Sequence, residues 1–168
     1  VLKRWSTAGL EVVLRTSAVA GMAERLARDG YEVVRRSGRY RVFPGSALEE
    51  LARRHGRRDA LVEVWNGVPF LTPIWGRGPR MVIQHHDYSA MWPLVLSPTL
   101  ARLGSLLERR LAPPFYRSTP VVTLSRSSAE GLVTGLGHRR DLVHVVEPGI
   151  HHRYGPGGTP EQPPLVLS

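Results

Sequence analysis

Apolar residues come along this chain in short runs, each broken by small or polar ones. Leu10 to Thr16 is a β-branched run ended by small polar residues, which predicts a strand. Ala18 to Asp29 follows with a pattern that suits a short helix closed by Gly30. Tyr31 to Arg35 and Tyr40 to Phe43 flank Ser37-Gly38 and predict two short strands about a turn. Pro44 then suits the first turn of a helix running to His55, with Leu48, Leu51 and Ala52 on one face.

Asp59 to Trp65 predicts a buried strand, and Asn66-Gly67 turns it into Val68 to Trp75, which is apolar but too proline-rich for a central strand. Met81 to Gln84 is a further strand, ending abruptly in His85, His86 and Asp87. Thr99 to Leu111 reads as an amphipathic helix, with Leu100, Leu103, Leu107 and Leu111 at helical spacing and Arg102, Arg109 and Arg110 elsewhere on its circumference. Pro113-Pro114 stops it. Val121 to Leu124 is the next strand. Ser127 and Glu130 have the spacing of a capping box, opening a helix that ends near Gly135 or Gly137. Leu142 to Val146 makes the last strand, closed by Glu147-Pro148-Gly149.

Strands alternating with helices predict an α/β fold: a doubly wound, mostly parallel, Rossmann-like sheet over residues 1–154. Residues 155–168 are rich in Gly and Pro, as a linker into a further domain would be.

Composition narrows the class. A chain of 168 residues, 42% of them hydrophobic, suffices for one core and lacks the signature of disorder. The absence of cysteine excludes disulfides, thiolate zinc sites and a cysteine nucleophile. No apolar stretch approaches the ~20 residues that span a bilayer, and the first residues lack a signal-peptide layout, so a cytoplasmic protein is expected, peripheral on the inner membrane face at most. The chain opens at Val1 on what reads as a helix end, as a fragment of something longer would. Its charge of +9 comes from 23 Lys and Arg against 14 Asp and Glu, nearly all the cations being arginine. That balance favours phosphate or anionic lipid, although a high-GC genome raises arginine usage without any function.

In open α/β sheets ligands collect outside the carboxyl ends of strands, which singles out His85 and His86. Alternation along a strand predicts that one of the two faces the cleft. Asp87 is placed either to orient an imidazole or to cap the next segment. Ser125, Ser127 and Ser128 lie at a helix N-terminus, which suits an anion as well as plain capping by Ser127. Asn66 and Gly67 follow a strand on the same edge, where they line a pocket or simply make a turn. Trp65, Trp75 and Trp92 suit either sugar stacking or a core. Glu63 lies within a strand and Glu130 in the capping box, so no carboxylate pair for hydrolysis is visible. Adjacent histidines, including His151 and His152, do not chelate one ion well, and neither metal nor cofactor is expected.

Taken in order, the strand ending in His85-His86, the strand leading to the serine-rich turn of Ser125 to Glu130, and the strand leading into Glu147-Pro148-Gly149 resemble the N-terminal domain of family 4 glycosyltransferases. These are two-Rossmann-domain GT-B enzymes that use nucleotide-sugar donors. The resemblance runs from about residue 9 to 155. It implies an acceptor-side domain of an enzyme that moves a sugar to an acceptor hydroxyl, with retention, while a second domain beyond the linker holds the donor.

By this resemblance His85, or its neighbour His86, donates a hydrogen bond to the sugar or the departing phosphate and is the catalytic candidate. Asn66, Gly67, Asp87, Ser125, Ser127, Glu147 and Gly149 would bind substrate, and the fragment alone would not catalyse. Relatives begin with a strand and a glycine-rich loop that this chain lacks, and many carry Gly-Val-Asp where it has Gly149-Ile150-His151. The expected partners are the donor, a glycan, lipid or small-molecule acceptor, and an anionic membrane met through Arg102, Arg109 and Arg110. A nucleic-acid-binding domain is the rival reading, but no helix-turn-helix, zinc finger or RNA-binding strand is visible and the arginines are scattered. A non-catalytic partner subunit is the third.

Overall fold

The computed structural model describes residues 1–38 and 40–149. A first helix, α1 (Leu2–Thr7), precedes β1 (Val13–Thr16), β2 (Arg25–Arg28) and β3 (Tyr31–Arg35), which form a small sheet in the order β1-β3-β2. β1 runs parallel to β3, and β2 runs antiparallel to it with Arg28 opposite Tyr31. The predicted helix over Ala18 to Asp29 is therefore not formed. Asp29 and Gly30 both adopt positive φ, 50° and 85°, the two-residue turn that suits the twist of a tight hairpin. Gly30 thus closes a hairpin and does not end a helix. α1 is fastened to that turn by Ser6 Oγ donating to the Gly30 carbonyl at 2.6 Å.

Tyr40 to Phe43 likewise forms no strand, because α2 (Val42–Leu51) already includes Val42 and Phe43. Its inward side carries charge. Arg15 and Arg36 pair with Glu49, and Arg58 holds buried Glu50 through two hydrogen bonds of 2.7 and 2.6 Å. The Arg58 guanidinium keeps the Glu50 carboxyl down at about 2. Leu48 and Leu51 face solvent, each 65% exposed, since the salt-bridged side is the one that packs.

The larger sheet contains β4 (Leu61–Trp65), β5 (Arg80–Gln84), β6 (Val121–Thr123) and β7 (Val143–Val145), all parallel and adjacent in chain order. Between β4 and β5 lies a short helix, α3 (Thr72–Trp75). Between β5 and β6 come α4 (Trp92–Val95), α5 (Pro98–Leu106), a π-helical turn over Leu107–Leu111 and a 3-10 turn at Pro113–Tyr116. α6 (Arg126–Leu136) joins β6 to β7. The α/β architecture with a Rossmann-like parallel sheet is the one the alternation predicts, here with a separate small mixed sheet beside it, and the strand order β4-β5-β6-β7 winds in one direction where a doubly wound sheet would reverse.

Each step from β4 to β7 moves the same way across the sheet, so crossovers of one hand fall on one face. The core confirms it. Trp65, Val82 and Val121 on that face pack with Ala112, Tyr116, Leu132 and Leu136 from the crossovers. Register puts Val64, Ile83, Val122 and His144 on the other face, where Val64 remains 47% exposed. Buried Glu63 fastens the β4–α3 connection: it accepts from Phe70 N at 2.6 Å, Thr72 Oγ1 at 2.5 Å and Tyr116 Oη at 2.8 Å.

Candidate functional site

Parallel pairing brings the carboxyl ends of β4, β5, β6 and β7 to one edge, and the residues singled out along the chain meet there. Asn66 and Gly67 follow β4 in a tight turn bridged from Asn66 to Val68. Gly67 is buried at φ 81°, and a Cβ there would come within 3.0 Å of the Trp92 ring, so the turn requires glycine. The Gly67 carbonyl accepts from Trp65 Nε1 at 3.0 Å.

His85 and His86 follow β5, and both are exposed. β5 ends at Gln84, so the alternation of its side chains does not extend to the two histidines. The two differ in surroundings. His86 stacks on Tyr88 at 4.6 Å between ring centroids, whereas the backbone of His85 is fixed by Thr123 Oγ1 donating to its carbonyl at 3.2 Å. Asp87 makes a local turn: its Oδ1 accepts from the Ser89 backbone N–H at 2.7 Å and from the Ser89 hydroxyl.

Beyond β6, the cap of α6 is Ser125, whose Oγ accepts from Ser128 N at 3.1 Å. The predicted capping box of Ser127 and Glu130 is not made. Ser125 reaches the helix first, and Glu130 is drawn away by Arg140 at 2.8 and 2.9 Å. Ser127 stays at the exposed start of the helix, within 3.0 Å of Ser125 Oγ. α6 ends at Gly137, in the left-handed conformation. Glu147 and Gly149 follow β7, exposed, with Gly149 lying near the Arg4 guanidinium of α1. Ile150, His151, His152 and the 155–168 segment fall outside the described residues.

The strongest group at this edge was not anticipated. Glu108, in the π-helical turn, is wholly buried and accepts from Tyr88 N at 2.9 Å and from Trp92 Nε1 at 2.8 Å. Burial pushes its carboxyl up to about 7, Asp87 adding to the rise and the two donors opposing it. Glu108 thus clamps the loop that carries the histidines from below. One signal in the sequence marks it: Glu108 continues a stripe of small residues, Ala101, Gly104, Ser105 and Ala112, of the kind that lets a helix approach closely.

Beneath the same edge, Gln84 is fully buried with neither Oε1 nor Nε2 hydrogen-bonded. On the other side of Trp65 lies His138, at 5.9 Å between ring centroids, and burial brings its imidazole down to about 4. Trp65 and Trp92 belong to the interior, and half-buried Trp75 donates to the Phe70 carbonyl at 2.7 Å.

Two ties, at the His85 carbonyl and the Tyr88 N–H, therefore hold the His85–Tyr88 backbone, while both imidazoles are left open to solvent. A fixed backbone with exposed donors is a pre-organised arrangement for recognising a polar ligand. A cavity of about 320 Å³ lies at the opposite ends of the strands among Gly78, Arg80, Phe115 and Thr119. Among the described residues no group of three His, Asp or Glu could hold a metal ion. No protein-family model matches the chain, and no curated protein matches it.

Proposed function

We propose that this chain is the acceptor-side domain of a glycosyltransferase, moving a sugar from a nucleotide-sugar donor to an acceptor hydroxyl with retention. One arrangement carries the reading: exposed His85, on a loop fastened from beneath, shares a sheet edge with the Asn66-Gly67 turn and the N-terminus of α6. An imidazole there can donate to a sugar hydroxyl or to a departing phosphate oxygen. The free backbone N–H groups and dipole of α6 favour negative charge beside it.

His85 is the catalytic candidate, because its ring is the less engaged of the pair. Asn66, Ser125 and Ser127 offer polar contacts to the acceptor, and Glu147 stands at the outer end of the edge. The donor itself would be held mainly by a second Rossmann domain. Among the described residues no helix is long and apolar enough to cross a membrane, so a lipid acceptor would be met at a surface.

Donor turnover tests the proposal. The complete parent chain is offered UDP- and GDP-sugars, and nucleotide release is followed in wild type, His85→Ala and His86→Ala. Release that collapses in His85→Ala with the fold intact supports it, and no release from any donor overturns it.

A further inference from the structure

Helix α5 meets the rest of the chain through its small residues. Ala101 and Glu108 are buried, and Gly104 lies so close to the Trp92 ring that an added Cβ would come within 2.9 Å. At 3.6 residues per turn, Leu103 and Leu106 fall on the reverse side. Leu103 is 57% exposed, and Leu100 and Leu111 are about half exposed. Of the leucine stripe seen in the sequence, Leu100, Leu103 and Leu111 therefore point outward, and Leu107 is partly buried. α4, packed against α5, adds Val95 and Leu94, the latter 76% exposed.

The cations share this outward surface. Arg102, Arg109 and Arg110 are all exposed, the first within α5 and the other two in the π-helical turn that continues it. Acid is missing. From Ser89 to Ala129 the chain has five arginines and a single carboxyl, Glu108, and that one is buried.

We infer that the α4–α5 face docks on an anionic lipid bilayer, its leucines entering the boundary of headgroups and acyl chains and its guanidinium groups pairing with lipid phosphates. The mixture of side chains selects this partner. Leucines interleaved with arginines need an apolar medium and phosphate on the same plane. Nucleic acid supplies phosphates but offers no such medium for a row of leucines. A second copy, paired symmetrically, would set Arg110 and its neighbours against the same charges at the centre of an interface, where charge is normally depleted. The inference stands apart from the sugar-transfer reading, because vesicle binding requires neither donor nor histidine.

The test is co-sedimentation with vesicles of phosphatidylcholine alone and of phosphatidylcholine mixed with phosphatidylglycerol. The protein is expected to pellet with the mixed vesicles and to stay in solution with the neutral ones. Replacing Arg102, Arg109 and Arg110 together by alanine is expected to weaken binding about a hundredfold, at about fivefold per arginine. Leu103→Ser with Leu106→Ser should weaken it while circular dichroism is unchanged, both residues being exposed. Arg53, Arg54 and Arg57, replaced together by alanine, remove equal charge from beyond α2 and should leave binding nearly intact. Equal pelleting with both vesicles, or no pelleting with either, overturns the inference. So does an equal loss in the two arginine triples, or a dimer without lipid that the leucine changes abolish.

Discussion

Replacing Glu108 by glutamine separates the part of folding stability that depends on protonation at the histidine loop. The carboxyl rises from its ordinary 4.5 to about 7, and at about 1.4 kcal/mol for each tenfold change in proton affinity its charged form is disfavoured by about 3 kcal/mol. The folded chain holds this proton more tightly than the unfolded one. Stability from this group is thus full below pH 4.5 and is lost as pH climbs to about 7. Glutamine does not titrate. Its amide turns a donor toward either Tyr88 N–H or Trp92 Nε1, so it forfeits about one hydrogen bond, worth about 1 kcal/mol.

Wild type is therefore expected to lead the variant by about 1 kcal/mol at low pH and to trail it by about 2 kcal/mol at neutral pH. The raw curve of wild type alone would hide this. His138, brought from 6.5 down to about 4 by burial, gains stability as pH rises through that interval and offsets Glu108 by a similar amount. The assay is urea unfolding of both proteins at intervals from pH 4.5 to 7, read as the difference between them. A difference that does not change with pH would refute the placement of Glu108.

The other expectations follow from contacts around the same edge. Ser125→Ala should cost about 1 kcal/mol by urea unfolding, as loss of an N-cap does, while Ser127→Ala should change stability by less than about 0.5 kcal/mol. Gly67→Ala forces a left-handed alanine against the Trp92 ring and should destabilise by about 2 kcal/mol or more, seen as a lowered thermal midpoint. Glu63→Gln keeps the shape but turns a donor toward Phe70 N–H, Thr72 or Tyr116, and about 3 kcal/mol of destabilisation is expected in the same measurement.

The parallel half of the fold was legible because β4 to β7 are β-branched or apolar runs with clear punctuation, and parallel pairing then carries their ends to one edge without further information. The small sheet was not. Glycine in the left-handed region closes both helices and hairpins, and Ala18 to Asp29 contains enough alanine and arginine to resemble a helix; pairing with β3 overrode that propensity. Asp29 before Gly30, between two strands, was the distinguishing feature.

For α5, spacing revealed a leucine stripe but could not say which side packs, and the close approach of Gly104 to Trp92 decided for the small residues. Ser127 with Glu130 had the spacing of a cap, but α6 already includes Arg126, so Ser125 holds the N-cap and Glu130 pairs with Arg140. His85 and His86 were visible as residues at a strand end. Glu108, which clamps their loop, was hidden because an acid within a leucine-rich helix looks like any solvated side chain until its burial is known.

The central claim is that this carboxyl edge is the ligand-binding surface. Amide and imidazole NMR shifts, followed while nucleotide sugars and a panel of acceptor saccharides are titrated in, test it most directly. The account predicts changes gathered at Asn66, Gly67, His85 to Tyr88 and Ser125 to Ser128, and lost in His85→Ala. Changes gathered instead at the opposite strand ends, around Arg80 and Phe115, or none with any sugar, would contradict it.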